Sequence, residues 1–475
     1  MRAIQDFKLA FRNVFRNTRR SLATIIAIML SCAGLILFGG YVTWAFRSAE
    51  SQGVVIFSHL QLARPGFYDK GAGNPTAYAI DTYPRIKQLL EQDAIIGPKL
   101  QMITAQTIFK GIVSYSAART SSTFVGLGVF PEEDWALLHW NPYHITSPLD
   151  LPANKAAYGT GPELSSEDPE GVTIGIGLSK VLQISFDPKE RERQATSTKP
   201  VTRSDSSSSD LAVLSEELTR QTNSAPSQRP AIELLCAPPG GGMPNAMTMS
   251  VRKIFNRPTK ELDNQTVKLD IRRASELFFP GEELKVTSIL VLLKQTADLP
   301  AVVARLHQLI ADGQLDLEFR TWTELRPFFS QLTQMFRVMF TFMFCIIAAI
   351  VIFTIYNTLS TSIAERMAEI GTLRAMGVTR AGIRKTFLLE GIFLGLIGGI
   401  LGVLLAILGE TIVNSLGVVY IPPGGSFYTK MEVIVLRAPL VLVVCFGGSL
   451  VAALFSAIFP AHRASRMIIV DALRH

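Results

Sequence analysis

Apolar residues along this chain are concentrated in four long runs. No Asp, Glu, Lys or Arg occurs in residues 21–46, 338–364, 391–409 and 438–462. The third run also continues back through 386–389, beyond a single acid, Glu390. A helix crosses the hydrocarbon core of a bilayer with about 20 apolar residues, so each run is long enough. A buried helix of a soluble protein would explain one such run but rarely four, so the pattern predicts four membrane spans.

The N-terminal segment has two features of its own. Basic residues precede the first apolar run, as in a signal peptide, but the run continues beyond Cys32 to Phe46 and is longer than the apolar part of such a peptide. We therefore expect an uncleaved signal anchor. Residues 1–20 place apolar residues near one helical face with basic residues between them, which predicts an amphipathic helix in the inner-leaflet interface. A plain cytoplasmic lead-in is the alternative.

The region between the first two spans has the periodicities of an α+β domain. Alternating or apolar β-branched patterns predict strands at 54–63, 101–109, 123–129, 172–176, 288–293 and 315–319, and helical patterns cover 81–92 and 299–310. The last strand–helix–strand unit, paired with the first elements, predicts a split mixed sheet. A second lobe is expected at about 131–260. Within it, residues 187–230 are too polar to bury much apolar surface, which predicts a mobile insertion.

The charge distribution orients the spans. The 475-residue chain is 48% hydrophobic and only 18% charged, with a formal net charge of +7, whereas soluble proteins carry about 25% charged residues. The whole positive excess lies in 1–20, 360–386 and 462–475, so these segments are expected in the cytoplasm. The long region between the first two spans, and the short loop between the last two, are then external. Nucleic-acid binding is not expected, because the long region is slightly acidic.

The sequence contains no recognisable motif for nucleotide binding, nucleophilic catalysis or metal binding. There is no Gly-rich phosphate loop with Lys and Ser/Thr, no Gly-x-Ser-x-Gly frame and no metal-ligand spacing among the six histidines. Residues 132–134 form an acidic cluster, which is expected to be a solvated loop. Of the four cysteines, only Cys236 lies outside an apolar run, which excludes a disulfide framework in the soluble part. We therefore expect no catalytic, cofactor-binding or metal site in this chain. A membrane-anchored enzyme would need clustered catalytic residues outside the membrane.

The segment after the second span has the most informative pattern. A short amphipathic helix is predicted by an apolar stripe of Ile363, Met367, Ile370 and Leu373, with Glu365, Glu369 and Thr372 on the opposite side. Gly377 is placed to end this helix. A generic loop between spans, with long charged side chains reaching water, explains the same residues without a special role.

This segment closely resembles the coupling-helix signature of FtsX-like permeases, the membrane subunits of MacB-type ABC transporters. The matching residues are Asn357-Thr358, Glu365-Arg366, Glu369-Ile370-Gly371 and Arg374-Ala375-x-Gly377. Residues 9–20, the Glu390-Gly391 pair with the glycines that follow it, and the C-terminal residues 460–466 and 471–474 also resemble the family. The external region matches in position and size only. Its two lobes are similar to the Porter-like and Sabre-like subdomains of the family, and the polar insertion is a departure.

The resemblance implies partners and site residues. Two permease chains, identical or paralogous, pair around two copies of a separate ABC ATPase, which binds ATP and Mg; this chain is then a non-catalytic, multi-pass inner-membrane subunit with a large periplasmic domain. The residues that contact the ATPase or support that contact are Glu365, Arg366, Glu369, Ile370, Gly371, Arg374 and Gly377. The resemblance also implies a stalk and neck that carry motion outward or pack in the dimer. Their residues are Leu325, Phe328, Leu332, Met335, Phe336 and Phe340.

The resemblance leaves the cargo open between classes. The size of the external region and the absence of a fused ATPase favour the lipoprotein-release layout, with lipoprotein or another lipid-linked cargo and a periplasmic lipoprotein carrier. The alternatives are efflux of peptides or small molecules with a membrane-fusion protein, and mechanical signalling to a cell-wall hydrolase without transport.

The expected organisation divides the chain into nine segments. In order, they are an amphipathic helix at 1–20, the first span at 21–46, the periplasmic domain at 47–335, the second span at 336–360, the coupling helix and loop at 361–385, the third span at 386–413, an external loop at 414–437, the fourth span at 438–461 and a tail at 462–475.

Overall fold

A computed structural model describes residues 18–71, 73–158, 161–184, 229–238, 243–255, 264–422 and 428–467. The chain divides into two compact units. The helical unit consists of Met1–Ala49, Phe328–Val419 and Lys430–His475, and the β domain consists of Glu50–Pro327 and Tyr420–Thr429. The amphipathic helix expected at 1–20, most of the insertion at 187–230 and the end of the C-terminal tail lie outside the described residues.

The helices and strands are numbered in chain order. The α-helices are α1 Thr18–Phe57, α2 Phe67–Lys70, α3 Tyr83–Gln92, α4 Pro131–Leu138, α5 Pro152–Tyr158, α6 Ile176–Val181, α7 Ile271–Phe278, α8 Leu299–Ala311, α9 Trp322–Leu325, α10 Pro327–Glu365, α11 Met367–Ala375, α12 Arg380–Leu416 and α13 Pro439–Ser465. The strands are β1 Leu60–Ala63, β2 Leu100–Tyr115, β3 Thr120–Val129, β4 Gly171–Gly175, β5 Ala231–Cys236, β6 Asn245–Phe255, β7 Thr266–Asp270, β8 Ser288–Leu293, β9 Glu318–Thr321, β10 Val419–Tyr420 and β11 Thr429–Lys430. Short 3₁₀ helices occur at Pro75–Tyr78, Gly97–Lys99, Pro148–Asp150 and Thr296–Asp298.

Within the described residues, four helices, α1, α10, α12 and α13, are long and apolar enough to cross a membrane, in agreement with the four apolar runs of the sequence. With a rise of about 1.5 Å per residue, α1 is about 60 Å long, or about twice the thickness of the hydrocarbon core. The apolar run in the sequence therefore covers only part of this helix.

The strand predicted at 54–63 is wrong in its first half. Residues 54–57 continue α1, which ends at Phe57, and Ser58 has a positive φ of 56°. Gly53 lies so close to the ring of Trp322 that a Cβ there would be 2.7 Å from it, and Val54 is fully buried. Packing of this last part of α1 overrides the β propensity of its branched residues.

Glycines on α12 let it pack closely against two other helices. A Cβ at Gly391 or Gly395 would lie 2.5–2.6 Å from an alanine Cβ of α13. A Cβ at Gly398 or Gly402 would lie 2.7 Å from a Cβ of α1. Small residues allow membrane helices to approach in this way, because van der Waals packing replaces the hydrophobic effect in lipid. The glycine series therefore holds the helical unit together.

Six strands of the β domain form a closed ring. Neighbouring strands pair in the order β2, β3, β7, β4, β6 and β5, and β5 pairs again with β2. Two of these pairs, β3–β7 and β4–β6, are parallel, and the rest are antiparallel. Apolar residues from all six strands, among them Phe109, Ile174 and Leu234, form one core cluster.

Three more strands extend the same sheet in the order β2, β8, β1 and β9, with antiparallel neighbours, while β10 and β11 form a separate two-stranded sheet. The unit β8–α8–β9 is a split β-α-β unit with β1 between its strands, so the pairing of the two ends of the region is confirmed. Gln106 of β2 pairs with Val129 on one side and Ser288 on the other. The long strand β2 thus belongs to both halves of one sheet, and each half has its own core.

Three further expectations need correction. The strand predicted at 315–319 begins at Glu318, because Leu315 and Leu317 enter the core from the preceding loop. The acidic residues 132–134 form the first turn of α4 and are not a loop. Leu325, predicted to continue the second span outward, lies in the separate helix α9. Arg326 separates α9 from α10, because Pro327 disfavours an α conformation at the residue that precedes it.

Candidate coupling site after the second membrane helix

A short isolated helix, α11, lies between α10 and α12. Arg366 breaks the helical path between α10 and α11, with φ −111° and ψ 21°. The end of α11 is a Schellman motif, in which the N–H of Gly377 donates to the carbonyl of Arg374 and that of Val378 donates to Leu373. Gly377 has φ +95°, which other residues rarely adopt. Gly377, two residues beyond the last residue of α11, therefore terminates this helix as the sequence predicted.

The end of α10 is tied to α1 by two side-chain contacts. Arg20 donates to Glu365 at 2.7 Å, and the hydroxyls of Thr24 and Thr358 are 2.6 Å apart. Thr24 is buried, and its hydroxyl also donates to the carbonyl of Arg20 at 3.1 Å, so its polar group is fully paired among apolar side chains. Glu365 is thus committed to a partner in its own chain.

Arg366 joins α11 to α12. Its Nε donates to Glu369 at 2.9 Å, and its Nη1 lies 3.7 Å from a carboxylate oxygen of Glu390. Its guanidinium carbon is 5.9 Å from the ring centre of Phe387. Since the guanidinium is planar and has five N–H donors, it can serve several groups at once.

Arg374 joins α11 to the end of α13. Its guanidinium donates to the carbonyl of Ser465 at 2.8 Å. The last carbonyls of a helix have no partner within it and carry partial negative charge, so a cation is favoured there. With the contacts of Arg20 and Arg366, α11 and its start are linked to α1, α12 and α13.

One side of α11 is buried and the other is open. Ile370 and Gly371 are buried, and Ile370 belongs to a small apolar core. The other members of this core are Ile363, Ile383, Phe387, Ala461 and Ala464. Leu373, predicted in the same stripe, is 38% exposed, and Met376 is 70% exposed. The stripe prediction is therefore wrong at Leu373, because α11 is too short for the buried stripe to extend to its last turn.

The charged residues predicted to couple this chain to an ATPase all make contacts within the chain. Glu365 pairs with Arg20, Arg366 pairs with Glu369, and Arg374 donates to the carbonyl of Ser465, while the side chains of Glu365 and Glu369 are still 47% and 43% exposed. The contact of these residues with a partner stays a prediction. The exposed Met376 and the buried Glu390 were not among the predicted residues. A single acid within an apolar run was the sequence signal for Glu390.

The predicted stalk and neck residues pack in part against α1. The ring of Phe336 is 5.9 Å from that of Phe46, and the ring of Phe340 is 6.1 Å from that of Phe38. Leu332 is half-buried and Met335 is exposed. Phe328 lies in α10, and its side chain is outside the described residues.

Comparison with known proteins identifies the region that contains this site. Residues 341–469 match the FtsX-like permease C-terminal family. The chain is 27% identical over 248 residues to the lipoprotein-releasing system transmembrane protein LolC of Neisseria meningitidis, covering 50% of this chain and 58% of LolC. It is 26% identical over 204 residues to the macrolide export ATP-binding/permease protein MacB of Chlorobaculum tepidum, covering 43% of this chain and 29% of MacB. It is 29% identical over 146 residues to the ABC transporter permease YtrF of Bacillus subtilis, covering 29% of this chain and 32% of YtrF.

The matched part of the chain therefore spans between about a third and just over half of these relatives. The family match begins within α10 and includes α11, α12 and α13, so it contains every described contact that ties α11 to α12 and α13. The chain therefore contains an FtsX-like permease domain at residues 341–469, as the resemblance of its coupling segment indicated.

Proposed function

We propose that this chain is the permease subunit of an ABC transporter and that α11 is the helix on which a separate ATPase subunit acts. The observation that carries the proposal is the two-sided character of α11. Its buried side is tied to the membrane helices, while Leu373 and Met376 on its open side offer apolar surface near the charged residues of the same loop. Such an exposed apolar patch with a polar rim is typical of a protein contact.

The contacts of α11 suggest how a force on it would be distributed. In this proposal, ATP and Mg bind to the partner ATPase. Closure of two ATPase subunits would move α11, which is covalently continuous with α10. The polar contacts to α1, α12 and α13 would carry the same movement to the other helices, and from there to the β domain between the first two spans.

A second permease chain, identical or paralogous, is part of this proposal. The helix α10 has an open apolar face that includes Val338, Phe342 and Phe353. Asn357 and Tyr356 lie on this helix and are also exposed. Polar side chains at membrane depth favour a partner helix, because lipid offers them no hydrogen bond. These residues support a dimer that packs through α10.

For the cargo, we propose lipoprotein or another lipid-linked molecule, released from the inner membrane into the periplasm. The similarity to a lipoprotein-releasing protein over half of this chain supports this cargo, as does the apolar stalk of α10. The β domain would face the periplasm, since the basic segments lie at the other ends of the spans. Similarity to a macrolide exporter favours efflux as the second candidate.

Co-purification tests the ATPase contact. The intact chain is expressed with the ATPases of its host, and the partner is captured through a tag on this chain. Met376→Asp places a charge in the proposed contact, where burial of methionine would contribute about 1.5–3 kcal/mol. We expect at least about tenfold weaker capture. Met243→Asp, at an exposed methionine of the β domain, is the matched control.

Equal capture by Met376→Asp, Met243→Asp and the unaltered chain would contradict the proposed contact. Failure of the unaltered chain to capture any ATPase would contradict the ABC function itself. With an active complex in lipid nanodiscs, stimulation of ATP hydrolysis by a triacylated lipoprotein supports the proposed cargo. Stimulation by a macrolide alone would favour efflux, and activation of a wall hydrolase alone would favour signalling.

A further inference from the structure

Glu390 is a buried acid in the third membrane helix. It is only 5% exposed, and one of its carboxylate oxygens has no hydrogen-bond partner among the described residues. Removal of a carboxylate from water costs several kcal/mol even after relaxation. Ionisable side chains within membrane segments are rare for this reason, and those that occur usually have a function and a partner. The nearest cationic partner among the described residues is Arg366, at 3.7 Å.

Arg366 occupies the joint at which the chain leaves α10 and starts α11. Its backbone is not helical, yet its carbonyl accepts the N–H of Ile370 at 3.0 Å and so begins the first turn of α11. Its side chain points toward α12, between the carboxylate of Glu390 and the ring of Phe387. This side chain therefore links the start of α11 to α12.

The surroundings of Glu390 give it a fixed position. The next residue, Gly391, lies so close to α13 that an added Cβ would be 2.6 Å from that of Ala457. Phe387, one turn earlier on α12, is buried in the core under α11. A carboxylate held between these two close contacts cannot follow Arg366 if α11 moves away. A movement of α11 must therefore either move α12 as well or separate the ion pair.

We propose that Glu390 is a positioning residue: it holds Arg366, and with it the start of α11, against α12. The third helix then moves with the coupling helix instead of following passively through the loop of residues 376–379. This inference rests on the proposed function for its consequence, the transmission of movement from an ATPase. The tie itself between Glu390 and α11 does not depend on that function.

Hydrogen–deuterium exchange of the intact chain in detergent tests the tie. Glu390→Gln keeps the shape of the side chain and removes its charge. We expect the backbone amides of residues 367–375 to exchange about tenfold faster, because local opening of α11 no longer has to break the ion pair. Glu410→Gln is the matched control on the same helix, since its carboxylate accepts the N–H of Val435 far from α11. Equal protection of α11 in both variants would overturn the proposal.

A double substitution separates a coupling role from a purely structural one. Replacement of a buried ion pair by apolar residues is often neutral for stability, whereas removal of one partner leaves an unpaired buried charge. We expect Arg366→Met and Glu390→Leu to lower the melting temperature singly and the double variant to regain it. The measured coupling is the change in ATP hydrolysis when the ATPase joins the permease. It should fall at least about fivefold in all three variants.

The outcomes distinguish the two proposals. If the double variant regains both stability and coupling, the pair is structural only and the positioning role is wrong. If it regains stability but not coupling, the role is supported. If the unaltered chain assembles with no ATPase, the proposed function fails, and the exchange experiment alone decides whether Glu390 holds α11.

Discussion

His59 gives the β domain a pH-dependent stability that can be measured. This histidine follows α1 and is fully buried. Its Nδ1 accepts the N–H of Leu293 at 3.0 Å, so the ring proton is on Nε2, which faces the hydroxyl of Thr296 at 3.0 Å. The ring of Trp140 is 4.9 Å away. Burial lowers the pKa of His59 from its ordinary value of 6.5 to about 4.

The sign of this effect on stability depends on whether the folded or the unfolded chain binds the proton at the higher pH. Above pH 6.5, His59 is neutral in both the folded and the unfolded chain. As the pH falls below 6.5, the unfolded chain binds a proton while the folded chain does not until about pH 4. The free energy of unfolding therefore decreases over this window, by about 3 kcal/mol in total and by about 2 kcal/mol between pH 7.5 and 5.0.

Unfolding of the intact chain in detergent, followed by tryptophan fluorescence, measures this decrease. His59→Gln cannot titrate, so it should lose about 2 kcal/mol less than the unaltered chain between pH 7.5 and 5.0. His307→Gln, at an exposed histidine of the same domain, is the matched control. If His59→Gln has the same pH dependence as the unaltered chain, the reasoning from burial is refuted.

Three further predictions concern packing, a buried charge and topology. Gly395→Leu should destabilise the helical unit by about 1–3 kcal/mol, because a Cβ at this position would already lie 2.5 Å from α13. Gly447→Leu should not, because the space around its Cβ is open. Thermal melting in detergent compares the two variants. Lys268→Met should destabilise the β domain by about 3–5 kcal/mol, because the carboxylates of Asp134 and Glu163, both within 2.8 Å of the Lys268 ammonium, lose their cation. Urea unfolding measures the change, and an unchanged midpoint would contradict the prediction. Met243→Cys should react with an impermeant maleimide on intact spheroplasts, and Met376→Cys only after lysis; the reverse pattern would invert the topology.

Local sequence patterns were sufficient where a single physical requirement acts along the chain. The four spans could be predicted because a helix in lipid needs about 20 consecutive apolar residues. The strand at 288–293 was predicted with its observed bounds, and the helix predicted at 299–310 is one residue longer. Gly377 was placed correctly because the left-handed end of a helix favours glycine. Each of these features depends on neighbours within a few residues.

Candidate site residues were predicted less well. The coupling helix was expected from its amphipathic pattern, but the pattern could not tell which of its charged residues would face the chain's own helices. Arg374, expected at a partner, binds the carbonyl of Ser465, which lies 91 residues later. Glu390 was noticed as a lone acid, but its pairing with Arg366 depends on how α12 packs below α11.

The tertiary structure alone decided the features that join distant parts of the chain. One sheet runs through both halves of the β domain because β2 pairs at different points with β3, β5 and β8. Asp134, expected in a solvated loop, binds the buried Lys268, 134 residues away in the sequence. No local pattern encodes such pairs, because their energies depend on burial and on distances that exist only after the elements have packed.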